Sequence, residues 1–114
     1  MQRDILFLIS APFEDKGEPW FCASCAMMEG ALFANPHWSE LIEVRRVAFP
    51  RPREEVIALI GVENQSLPAL VLPEGAPVPH EAKVAATTGR AFLDDPKAMS
   101  RYMAATYGGA GPHP

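Results

Sequence analysis

The stretch PWFCASC, residues 19–25, holds the only two cysteines of the chain, Cys22 and Cys25, with Ala23 and Ser24 between them. Residues at positions i and i+3 share one face of a helical turn, so sulfurs at this spacing reach bonding distance if a helix begins at Cys22. Three readings are open at this point: a working thiol–disulfide pair, part of a metal grip, or two small buried residues. The residues that follow support the helix. CASCAMMEGALFAN (22–35) has no proline and little β-branching, and Pro36 disfavours helical backbone at Asn35. Gly30 costs such a helix about 1 kcal/mol against alanine, a cost that makes sense if another backbone packs closely there.

Working outward, DILFLIS (4–10) is continuously apolar and reads as a strand buried on both faces, whereas APFEDKGEPWF (11–21), with two prolines and a glycine, reads as a loop. LIEVRRVAF (41–49) is a second, more polar strand suited to an edge. RPREEVIALIG (51–61) is a short helix, with Pro52 in its first turn, Glu54 and Glu55 at its positive end and Gly61 at its stop. ALVL (69–72) is a wholly apolar third strand and RAFL (90–93) a fourth. In the last helix Asp95 serves as cap, Pro96 as first residue and Gly108 as terminator, with Ala98, Met99, Tyr102, Met103 and Thr106 as a stripe at helical spacing.

The order β-α-β-α-β-β-α predicts an α/β domain over residues 1–108, with a four-stranded mixed sheet flanked by helices and a flexible tail at 109–114. Right-handed crossover makes the first two strands parallel neighbours, and the apolar third strand belongs beside the first. The long link from Pro73 to Gly89, where a tight hairpin is usual, reads as an insertion.

The chain has 114 residues, which suits one domain, and a net charge of −4, which argues against nucleic acid or an anionic membrane as partner. The apolar run Ile5–Ile9 is too short to cross a bilayer and lacks a signal peptide's cleavage site, so a cytoplasmic protein is expected. In that compartment paired cysteines are catalytic or metal-binding more often than structural. A single-chain zinc site needs about four ligands, and His37, His80 and His113 are not at ligand spacing, so no metal is expected. A metal held between two such pairs across a homodimer stays open.

The pattern is similar to the thioredoxin-like fold in its minimal, glutaredoxin-type form. A CxxC opens the first helix after the first strand, and SLPALVL (66–72) sets Pro68 directly before the third strand. The closing FLDDPKAMSRYMAATYG (92–108) resembles the end of a glutathione-transferase N-terminal domain, and a small bacterial family of the same superfamily shares the CxxC and ENQSLP (63–68). The resemblance implies a cis Pro68 facing the cysteines, beside a Leu67 backbone that pairs with an incoming peptide or with glutathione as co-substrate. It also implies that Asp94 and Asp95 hold the amino end of glutathione, for which the plain alternative is a helix cap and a solvated charge. Two departures stand out. Ala23 and Ser24 replace the Gly-Pro or Pro-Tyr common between such cysteines, and the loop before the motif is long.

Helix-start N–H groups and the helix dipole favour a thiolate at Cys22, and Cys25, one turn inside, is placed to resolve a mixed disulfide. Arg53 can meet a carboxylate of the substrate or belong to a wet, arginine-rich surface. Trp20 and Phe21 can form a sticky rim or core. A thiol–disulfide oxidoreductase is the function expected. The alternative is a non-catalytic binding module on the same fold.

Overall fold

A computed structural model describes residues 2–114. The elements in chain order are β1 (Ile5–Ile9), β2 (Phe13–Asp15), β3 (Glu18–Trp20), α1 (Ala23–Ala34), α2 (Trp38–Leu41), β4 (Glu43–Val47), α3 (Glu54–Ile60), β5 (Ala69–Val71), β6 (Lys83–Val84), β7 (Ala91–Leu93) and α4 (Pro96–Tyr107). A five-stranded mixed sheet runs in the order β4-β1-β5-β7-β6, and β2 and β3 form a separate hairpin. β1 pairs parallel with β4 and antiparallel with β5, and β7 pairs antiparallel with both β5 and β6. The second strand therefore lies at the sheet edge and the third beside the first.

Side chains alternate across a strand, so β1 serves two cores. Leu6 and Leu8 join Met28, Leu32, Trp38, Leu70, Leu93, Met99 and Met103 on the face covered by α1, α2 and α4. Ile5 and Phe7 join Val56 and Ile60 of α3, with Ala69, Val71 and Phe92, on the other face. This explains why the central strands are apolar without a break. Each large aliphatic side chain so buried contributes on the order of 1.5–3 kcal/mol.

The four-stranded sheet expected from sequence is corrected to five strands. β6 lies in the Pro73–Gly89 link and is two residues long, with both side chains exposed. A strand that short and that wet leaves no hydrophobic alternation to read. Residues 11–21 are likewise not a plain loop but contain the β2–β3 hairpin, turned at Lys16 and Gly17, whose φ values of 55° and 79° are both positive. Pro52 precedes α3 rather than sitting in its first turn, and Arg53 takes the N-cap position. Gly30 is not a close-packing site either, since a Cβ there would meet no atom within 4 Å.

Asp95 caps α4 by accepting from the Ala98 amide at 2.9 Å. Beyond the helix, the buried Asn35 side chain donates to the Ala110 carbonyl at 3.1 Å and accepts from its amide at 2.7 Å, which seats the start of the tail against the end of α1.

Candidate functional site

Cys22 is the N-cap of α1. Its backbone is extended, at φ −75° and ψ 114°, and its sulfur accepts from the Cys25 amide at 3.2 Å. Serine, threonine or aspartate usually takes this task. A sulfur here faces first-turn N–H groups that no carbonyl satisfies, and a thiolate accepts from them better than a thiol does. Its other side meets the chain just before β5, with the Leu67 carbonyl 3.8 Å away. The Leu67–Pro68 peptide is cis. Cys22 and Leu67 are each partly exposed, and Pro68 is buried.

Cys25 lies one turn deeper and is 3% exposed. Its sulfur accepts from the Ile9 amide at the end of β1, at 3.4 Å. Burial pushes its thiol up to about 12; the hydrogen bond with Cys22 and the charge of Cys22 add to the rise, while the Ile9 amide and the Arg53 charge oppose it. Both cysteines are free thiols, one partly exposed and one buried.

The hairpin stands beside them. The Phe13 ring stacks on Phe49 with centroids 4.2 Å apart and planes 4° from parallel, which ties the hairpin to the β4–α3 loop. Trp20 is 47% and Phe21 66% exposed, so both lie on the surface rather than in the core. With Ala11, Pro12 and Pro19 they line an open apolar cleft of about 420 Å³.

The remaining residues singled out in the sequence fall at the same end of the sheet but are already engaged. The β5–β7 register pairs Leu70 with Leu93, so Asp94 and Asp95 follow on the Pro68 side. The Asp94 carboxylate is bound by Lys83 at 2.7 Å, and that of Asp95 caps α4. Arg53 does not stand open in a cleft. It is 7% exposed, and its guanidinium donates to the Phe49 carbonyl from Nε at 3.0 Å and from Nη2 at 2.5 Å, and to the Gln65 carbonyl from Nη1 at 2.7 Å. Its backbone N–H in turn donates to Gln65 Oε1 at 2.8 Å. Gln65 is thus a part of the site that sequence reasoning passed over; its position two residues before Leu67, inside ENQSLP, was the available signal. Arg51, by contrast, is exposed and reaches Ser66 Oγ at 3.3 Å.

Among the described residues no group of three or more histidine, cysteine, aspartate or glutamate side chains gathers as a metal site would require. No helix among them is long and apolar enough to cross a membrane.

Fold and site together define an α/β protein with a mixed five-stranded sheet and a pair of cysteines at the start of its first helix. The chain belongs to the family described as "protein of unknown function (DUF3088)", which it matches over residues 3–111. No curated protein and no solved structure matches it.

Proposed function

We propose that this chain is a small thiol–disulfide oxidoreductase of thioredoxin-like, glutaredoxin-type build, acting in the cytoplasm on glutathione-linked or protein disulfides. One observation carries the reading: the Cys22 sulfur accepts from the first turn of α1 and faces the Leu67 carbonyl, with Cys25 directly behind it.

In the proposed cycle the Cys22 thiolate attacks one sulfur of a substrate disulfide. A Cys22–substrate disulfide forms, the substrate S–S bond breaks, and the other substrate sulfur leaves as a thiolate that takes a proton from solvent. Cys25 then gives up its proton and attacks the Cys22 sulfur, forming the Cys22–Cys25 disulfide and releasing the second substrate thiol. Two electrons have passed from the dithiol to the substrate, and two molecules of glutathione, oxidised to their disulfide, return the pair to its starting state. The Leu67 backbone beside the cis peptide is the ledge for an extended substrate, paired as an added strand would be. Trp20 and Phe21 give a protein substrate an apolar rim.

A second reading is favoured by the depth of Cys25. A thiol pushed up to about 12 is a slow resolving group, as suits a binding module that keeps the cleft without turnover. A glutathione-reductase-coupled disulfide assay on wild type, Cys22→Ser and Cys25→Ser separates the two. The oxidoreductase reading expects turnover in wild type and its loss in Cys22→Ser. Background rates in all three proteins leave only the module.

A further inference from the structure

Arg53 is a buried charge, 7% exposed, tied to the Gln65–Leu67 segment that faces Cys22, and nothing in the sequence marked it as internal. Its guanidinium sits 5.6 Å from the centre of the Phe49 ring, and that ring carries the stacked Phe13 of the hairpin. It grips the Phe49 and Gln65 carbonyls, two residues before the Leu67 whose carbonyl faces Cys22. Yet among the described residues no carboxylate comes within 4.0 Å of it. Carbonyl oxygens supply partial charge only, and a buried cation without an anion is costly.

Other charges lie on the elements around the cysteines. α1 carries no ionic side chain before Glu29, which is bound to Arg46. The hairpin bears Glu14, Asp15, Lys16 and Glu18, the β7–α4 junction the engaged Asp94 and Asp95, and the β4–α3 loop Arg51 and Arg53.

We infer that Arg53 is a positioning residue of the dithiol site: a buried cation that lacks a carboxylate and takes the thiolate of the Cys22–Cys25 pair as its counter-charge, while clamping the Gln65–Leu67 segment that forms the ledge. This deepens, and rests on, the dithiol reading above. It gives the buried Cys25 a source of help when its turn comes to ionise. Burial and then the Arg51 charge lower the affinity of the guanidinium for its proton, and the sulfurs act the other way; at Cys25, where burial dominates, the guanidinium opposes the rise.

The test is the rate of iodoacetamide alkylation at Cys22 between about pH 5 and pH 10, in a Cys25→Ser background. Removing that charge in Arg53→Gln slows alkylation at neutral pH and displaces the pH–rate profile upward. Arg53→Lys, which keeps the charge and loses the fork, stays within a few tenths of a unit. An Arg53→Gln profile that overlies the parent overturns the inference.

With both cysteines present, the same loss shifts the dithiol–disulfide equilibrium with glutathione roughly tenfold toward the disulfide, about 30 mV for a two-electron couple. If the alkylation shift appears but no Cys22–Cys25 disulfide ever forms, the oxidoreductase reading falls and the role of Arg53 is supported. Should Arg53→Gln not fold, the Arg53 Nε–H resonance of the otherwise unmutated protein answers instead. It moves with pH in step with Cys22 alkylation and stays flat in a Cys22→Ser/Cys25→Ser double variant. A resonance that is flat in the parent as well refutes the inference.

Discussion

The depth difference between the two sulfurs sets a measurable selectivity. In the folded, reduced protein a neutral alkylating reagent should modify Cys22 and spare Cys25, because only the thiolate reacts. With its thiol pushed up to about 12, Cys25 is ionised at about pH 7.5 in roughly three molecules per hundred thousand, against roughly one in ten for an ordinary thiol. Ionisation alone therefore slows Cys25 roughly three-thousandfold relative to a free cysteine, before its 3% exposure adds a steric barrier. The assay is a time course of iodoacetamide labelling read by peptide mass spectrometry, with a sample in concentrated urea to show that both cysteines react once unfolded. Cys22→Ser keeps Cys25 slow, because burial is the first cause of its rise and the hydrogen bond with Cys22 only the second. Labelling of Cys25 within tenfold of Cys22 in folded wild type would refute this account of the buried sulfur, and with it the division of labour proposed for the pair.

Two other expectations concern the scaffold. Gly30 is interior to α1, with open space where a Cβ would go, so Gly30→Ala should stabilise the protein by about 0.5–1 kcal/mol in urea unfolding, and a loss of stability would mean that something packs on that face. Burial raises the Asp4 carboxyl above its usual range and outweighs the Tyr107 and Tyr102 hydroxyls, so the native state holds this proton more tightly than the unfolded chain does. The stability Asp4 contributes is then complete in acid, below the unfolded carboxylate range, and is lost as pH rises through the raised native value. Asp4→Asn, which keeps an acceptor for the Tyr107 hydroxyl, should gain on wild type as pH rises above the unfolded carboxylate range; parallel stability curves would show that Asp4 does not titrate in the way its burial implies.

The sequence was readable where physics is local and redundant. Ile5–Ile9 and Ala69–Leu72 are apolar at every position because each faces two cores, and Asp95, Pro96 and Gly108 punctuate α4 by their own backbone chemistry. α1 begins and ends where Cys22 and Asn35 predicted. Short polar elements were not readable. β2 and β3 have three residues each and carry charges and a proline, although the Lys16-Gly17 turn was a usable hairpin signal. Trp38–Leu41 is a single turn whose only buried residue is Trp38, held by the Gly108 carbonyl far along the chain. The site divides in the same way. The meeting of Cys22 with Leu67 was expected through the resemblance carried by the CxxC and SLPALVL. The inward turn of Arg53 depends on two distant carbonyls, at Phe49 and Gln65, that no local pattern announces.

The Ile9 amide, bonded to the sulfur of Cys25, ends β1, an interior strand of the sheet. Gain or loss of a proton, disulfide closure or chemical blocking at that sulfur each changes what this one N–H group donates to. A single isotopic label on Ile9 would therefore act as an internal indicator of the thiol's state, readable in the intact protein with no attached dye and no change to either cysteine.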